Sequence, residues 1–219
     1  MRARRGYGRK ARFVNRAALV AVLALLLPAA PALAATRILA LGDSLTAGYG
    51  LAPDKAFPVQ LAARLKADDH DVVVDNGGVS GDTSADGLAR LDWALGDHPD
   101  LVLVELGAND MLRGLDPKQA EANLDAILAR LRAAKVKVLL LGMRAASNWG
   151  ADYQKSFDAI YPALAKKYDV PLYPFLLDGV ALDPKLNQGD GLHPNAAGVA
   201  VIVGRIAPAV ERLLGTATG

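Results

Sequence analysis

Five short apolar runs, each closed by glycine, proline or a polar cluster and separated by amphipathic stretches, narrow the folds open to this chain. Ile38 to Leu41 runs into Gly42-Asp43-Ser44, and Asp71 to Val74 into Asn76-Gly77-Gly78. Leu101 to Leu106 ends in Gly107-Ala108-Asn109-Asp110, and Val136 to Leu141 and Val170 to Tyr173 follow. Near-continuous apolar runs of this length read as parallel strands buried on both faces. The stretches between them carry a helical spacing instead. Phe57, Leu61 and Leu65 mark a helix over 56–66, and Leu88, Leu91 and Leu95 mark a second. Ala120, Leu124, Ile127, Leu128 and Leu131 line one face of a third, with Asp116 as cap and Pro117 in its first turn. A fourth reaches about Tyr168, and Val199, Ile202, Val203, Ile206, Val210 and Leu213 line a closing helix that Pro208 should kink at the Gly204 carbonyl. Strands alternating with helices give an α/β fold with a parallel sheet covered on both faces. Pro171 and Pro174 put the fifth strand at a sheet edge.

The first 35 residues read differently. Arg2, Arg4, Arg5, Arg9, Lys10, Arg12 and Arg16 occur without an acid, Ala17 to Leu27 is wholly apolar, and Ala32-Leu33-Ala34 gives a small-x-small pattern. This is the make-up of a secretory signal peptide cleaved near Ala34-Ala35, leaving one domain over 36–219. Eleven apolar residues fall short of the roughly 20 that span a bilayer, so no stable membrane anchor is expected after its removal. The chain has no cysteine, which excludes disulfides and a cysteine-linked lipid anchor. Without the seven leading cations the net charge of +2 becomes −5, and no basic patch suited to nucleic acid is left. A periplasmic or secreted protein is expected.

Successive parallel strands present their carboxyl ends on one edge, where ligands bind in open α/β sheets. Ser44, Gly81 and Asn109 follow three such ends, and Asp190 and His193 sit in a late segment of little periodicity. Brought together, these residue types suit acyl transfer. Ser44 attacks a carbonyl, His193 takes its proton and returns it to the leaving group, and Asp190 fixes the imidazole tautomer. The backbone N–H groups of Ser44 and Gly81 and the Asn109 side-chain amide suit a developing oxyanion, and a side chain at position 81 would keep the oxyanion from that N–H. Singly, each has a plainer reading: Asp43 or Ser44 and Asn109 as helix caps, Gly81 as a turn, His193 as a surface histidine. Glu105, inside the third apolar run, either hydrogen-bonds within the core or reaches the crevice. No metal-ligand spacing or dinucleotide fingerprint appears, so neither metal nor cofactor is expected, and Asp68-Asp69-His70-Asp71 reads as a solvated turn.

Gly42-Asp43-Ser44-Leu45, Gly78-Val79-Ser80-Gly81-Asp82-Thr83, Gly107-Ala108-Asn109-Asp110 and Asp190-Gly191-Leu192-His193-Pro194 together resemble, in order, the four blocks of the SGNH or GDSL hydrolases. Within that group the chain looks like the secreted bacterial branch of arylesterases, acyl thioesterases and lysophospholipases. The resemblance implies a flavodoxin-like three-layer fold with strand order 2-1-3-4-5. It implies Ser44, Asp190 and His193 as triad, with Ser44, Gly81 and Asn109 in the oxyanion hole. It also implies a loop over 111–116 that closes on the acyl chain.

On this basis Met111, Leu112, Leu115, Ala146 and Asn148 are expected to contact substrate, in a pocket between the 111–116 and 143–149 loops. Ala145-Ala146-Ser147 stands where relatives often carry a bulkier stretch, which leaves the pocket shape open. The expected substrates are small acyl esters, thioesters or lysophospholipids. Two rival readings keep the fold: a carbohydrate acetylesterase, and a non-catalytic binding module on the same scaffold.

Overall fold

A computed structural model of the chain describes residues 35–215. The expected signal peptide, apart from its last residue, lies outside the described residues. Five strands form one all-parallel sheet: β1 (Thr36–Gly42), β2 (Val72–Gly78), β3 (Leu101–Val104), β4 (Lys137–Leu141) and β5 (Leu172–Tyr173), ordered β2-β1-β3-β4-β5. The two central strands are the most apolar. Ile38, Leu41, Val102, Leu103 and Val104 are wholly buried, as strands covered on both faces require.

Nine α-helices accompany the sheet in the described residues. The longer ones are α2 (Phe57–Ala67), α6 (Pro117–Ala133), α7 (Ala151–Asp158), α8 (Ile160–Tyr168) and α9 (Ala196–Leu214). The short ones are α1 (Ser44–Ala47), α3 (Ser84–Ala89), α4 (Leu91–Ala94) and α5 (Ala108–Leu112). Helix α9 packs on α2, and α6 packs against α3 and α8. The expected apolar stripe of α6 is buried along its whole length, from Ala120 to Leu131. Asp116 caps that helix through the Lys118 N–H, with Pro117 inside the first turn. No helix among the described residues is long and apolar enough to cross a membrane.

The departures from expectation have local causes. β2 continues through Asn76-Gly77-Gly78, because a Cβ on Gly77 or Gly78 would strike the β1 backbone at Ala40 or the α1 backbone at Ala47. The helix expected over Leu88 to Leu95 is broken at Arg90, whose guanidinium is drawn to Asp82 (2.6 Å) and to the Gly42 carbonyl (2.8 Å). β3 ends at Val104 although the apolar run goes on. The Glu105 N–H still donates to the Leu41 carbonyl (2.8 Å), so the chain stays beside β1 while the Glu105 side chain turns to other partners. Helix α9 is helical on both sides of Pro208 and runs on to Leu214.

A core substitution remote from the sheet edge tests this packing. Leu124 is fully buried, so Leu124→Ala should cost about 2–5 kcal/mol in denaturant unfolding, with turnover of the remaining folded protein unchanged. A loss under about 1 kcal/mol would contradict a close-packed α6.

Candidate active site

Ser44 opens α1 directly after β1, so its hydroxyl stands at the carboxyl edge of the sheet. Asp43 caps the helix, its Oδ1 accepting from the Leu45 N–H at 2.9 Å. Gly48 ends it in the left-handed region at φ 82°. Asp190 and His193 come from the other end of the domain, in the segment before α9. There Asn187 and Pro194 form an isolated antiparallel bridge, and the Gln188 N–H donates to the His193 carbonyl (2.8 Å). The Gln188 side-chain amide donates to the carbonyls of Tyr49 (2.8 Å) and Pro194 (3.0 Å), tying this segment to the one that carries Ser44.

The three side chains meet. Ser44 Oγ lies 2.9 Å from His193 Nε2, and His193 Nδ1 lies 2.6 Å from Asp190 Oδ2. The other Asp190 oxygen accepts from the Leu192 and His193 N–H groups at 2.9 and 3.0 Å. Those backbone donors, foremost that of His193, together with the imidazole, hold the Asp190 carboxyl at about 2, below its ordinary 3.8. The Tyr49 ring packs against the imidazole with centroids 4.7 Å apart, closing the open side of His193.

Gly81 and Asn109 arrive on the same edge. Gly81 adopts φ +91°, and a Cβ there would meet only the Arg113 guanidinium at 3.7 Å. Within the protein, backbone conformation more than crowding accounts for the glycine. The Ser44 and Gly81 N–H groups have no acceptor among the described residues. Asn109 lies in the first turn of α5, and its amide donates to Asp43 Oδ2 (3.1 Å) and the Asp82 carbonyl (2.9 Å). It thus lies in the right place, but tied into the loops around it.

Further residues, to which the sequence assigned no definite role, hold these loops. Asp110 is buried and accepts from the Ser84 N–H (2.8 Å) and hydroxyl (2.6 Å), joining α5 to the loop of Gly81. Asp82 pairs with Arg90, and Arg113 donates to the Gly81 carbonyl. Tyr161 donates to the Leu106 carbonyl (2.9 Å) beneath Gly107, whose φ of +112° leads into α5. Glu105 belongs to the core: at 1 % exposure its Oε2 accepts from the Asp43 N–H (3.1 Å) and the Thr46 hydroxyl (2.8 Å).

A pocket of about 390 Å³ opens over Ser44 and His193. Met111 and Leu112 line it as expected, with Met143, Phe175, Leu177 and Leu192 as further apolar walls. Leu115, Ala146 and Asn148 do not line it, and the expected contact with substrate is corrected for these three. The space between the two loops is filled from below. Trp149 packs on Gly114, and the Tyr153 hydroxyl donates to the Leu115 carbonyl at 3.0 Å. The Ala145 N–H is held by Asp158 (2.8 Å), and Ala146 and Asn148 beyond it are exposed. A stack of Trp149, Tyr153, Phe157 and Tyr161, each four residues on, carries this filling down to the sheet.

Comparison with known proteins agrees with this geometry. Residues 40–201 match the model of the GDSL-like Lipase/Acylhydrolase family. Thioesterase 1/protease 1/lysophospholipase L1 of Escherichia coli (strain K12) is 47% identical over 165 residues, which cover 75% of this chain and 78% of that protein. An arylesterase of Vibrio mimicus is 44% identical over 162 residues, 74% of this chain and 81% of its own. The crystal structure of TesA superimposes with a TM-score of 0.78 at 38% identity, covering 81% of this chain and 99% of that one. With the four sequence blocks gathered at one sheet edge and the family model spanning most of the domain, the chain belongs to the GDSL-like lipase/acylhydrolase family, the SGNH hydrolases.

Proposed function

We propose that this chain is a serine hydrolase of carboxylic esters and thioesters, working through an acyl-enzyme on Ser44. The observation that carries the reading is the continuous relay Ser44–His193–Asp190 at the mouth of an apolar pocket. His193 Nε2 takes the Ser44 proton as Oγ attacks the carbonyl carbon. The oxyanion that forms faces the free N–H groups of Ser44 and Gly81, and the Asn109 amide turns part of its bonding from the Asp82 carbonyl toward it. The imidazolium, stabilised by the ionised Asp190, then protonates the leaving alcohol or thiol. Water repeats the sequence on the acyl-enzyme, with His193 again as base.

Lysophospholipids fit the same reading, since the relatives named above include a lysophospholipase and an arylesterase. The apolar walls favour an acyl chain over an acetylated sugar. We further propose that the first 35 residues export the domain to the periplasm or the medium and are removed near Ala34-Ala35, on the strength of their cations, apolar run and small-x-small end.

Ser44→Ala should abolish turnover of p-nitrophenyl esters and acyl-CoA while the protein stays folded. Asn109→Ala should lose about 10²–10³ in kcat, the usual cost of one oxyanion donor. A phosphonate probe that leaves Ser44 unmodified in the folded wild type would favour the binding module instead.

Chain length gives a second test. Each buried methylene adds about 0.8 kcal/mol, close to fourfold in kcat/KM, so medium acyl esters should outdo acetate until the pocket ends. Leu177→Trp, on the pocket wall, should shorten the optimum, whereas Ala146→Leu, outside it, should leave the profile as in wild type. An acetate optimum in the wild type would point to the sugar deacetylase.

Acid pH supplies a third. A carboxyl depressed by folding contributes stability that is present above its unfolded value and lost as pH falls through the folded one. The stability difference between wild type and Asp190→Asn should therefore shrink as pH falls from about 3.8 to about 2. A difference independent of pH in denaturant unfolding would mean that the Asp190 charge contributes nothing to the fold.

A further inference from the structure

Beneath the nucleophile lies a second pair of carboxyls. Asp43 and Glu105 are both buried, at 0 % and 1 % exposure, and the Asp43 N–H donates to Glu105 Oε2 (3.1 Å), which brings the two carboxyls close together. Two carboxylates buried this close repel each other, so the pair is best held with a proton on one of them. The donors around the pair are unevenly placed. Asp43 accepts on both oxygens, from the Leu45 N–H on Oδ1 and the Asn109 amide on Oδ2, which suits an ionised group. Glu105 accepts only on Oε2, from Asp43 N–H and the Thr46 hydroxyl, while its Oε1 is buried with no donor. A buried oxygen without a donor is far costlier on a charged carboxylate than on a neutral carboxylic acid. Burial first, and then the Asp43 charge, push Glu105 well above the ordinary carboxyl range. The cradle is closed on its other side by Gly42, where a Cβ would overlap both Thr46 Oγ1 and Glu105 Oε2.

We propose that Glu105 is a positioning residue that stays protonated beside an ionised Asp43, and through Asp43 sets the direction of the Asn109 amide and the Ser44 turn. This rests on the reading of Asn109 as an oxyanion donor. Asp43 then has two roles that need its charge: it caps α1 behind Ser44 and holds one Asn109 Nδ2 hydrogen, so that the second, on the Asp82 carbonyl here, is the one placed to turn toward the reacting carbonyl oxygen. A deprotonated Glu105 would set two like charges side by side under the nucleophile and push Asp43 off Asn109.

The test pairs a spectroscopic and a kinetic readout. The infrared difference between wild type and Glu105→Gln at neutral pH should show the C=O stretch of a carboxylic acid, present in wild type only. Glu105→Ala should lower kcat about 10–100-fold with KM little changed, less than removal of the Asn109 donor itself, and Glu105→Gln should recover kcat to within about threefold of wild type. A wild-type spectrum with only the ionised carboxylate band for this residue would overturn the proposal, as would a Gln variant as impaired as Ala. Should Glu105→Ala fail to fold, the infrared comparison with Glu105→Gln still decides. That readout does not depend on turnover, so it stands or falls separately from the loss of activity in Ser44→Ala.

Discussion

The pairing of β1 with its two neighbours is the constraint on which the site depends. Gly42 lies opposite Gly78 of β2, and Leu41 opposite Val104 of β3, so three chain segments leave the sheet at nearly the same height. Ser44, Gly81 and Asn109 then stand two to five residues beyond those pairs. In a parallel sheet a shift of one residue would turn each side chain to the opposite face and scatter the three groups. The apolar packing that fixes the register, between wholly buried Ile38, Leu41, Leu103 and Val104, is therefore also what sets the catalytic geometry.

Polar bonds refine what the sheet sets roughly. Asp43 joins α1 to α5 through Asn109, Asp110 joins α5 to the loop before α3 through Ser84, and Arg90 joins that loop to the end of β1 through Gly42 and Asp82. Asp43 and Asp110 accept from backbone or amide N–H groups and Asp82 from the Arg90 guanidinium, and such short acids hold a loop in one conformation. The aspartates of the four sequence blocks thus act as braces between segments, and only Asp190 among them touches the base.

Much of this was legible in the residues. The parallel sheet and the helix faces follow from apolar periodicity and from where each run ends, the strand order from the family resemblance of the four blocks, and the meeting of Ser44 with Asp190 and His193 from their residue types. What the sequence did not carry lies in contacts between side chains far apart in the chain. Nothing in Ala145-Ala146-Ser147 foretells that Trp149 packs on Gly114 and fills the gap between the two loops, so Leu115, Ala146 and Asn148 were placed in a pocket that they do not line. Phe175 and Leu177 were missed for the converse reason, since the segment after β5 has no periodicity to mark an inward face. Glu105 was visible as an odd polar group in an apolar run, but its partner became evident only once Asp43 lay beside it.

The distance along the chain between Ser44 and His193, 149 residues, has a consequence in time. A chain made from its amino end presents the serine early, on a strand that needs β3 beside it, and the histidine only after nearly the whole sheet has formed. The segment bearing His193 is then fastened by Gln188 to the loop of Tyr49 and by Asn195 to the start of α9. Until that last clasp closes, the imidazole we propose as base is out of reach of Ser44, and the serine is an ordinary alcohol. A partly emerged or unfolded chain therefore passes by acyl esters without reacting with them, and reactivity appears only when folding is complete.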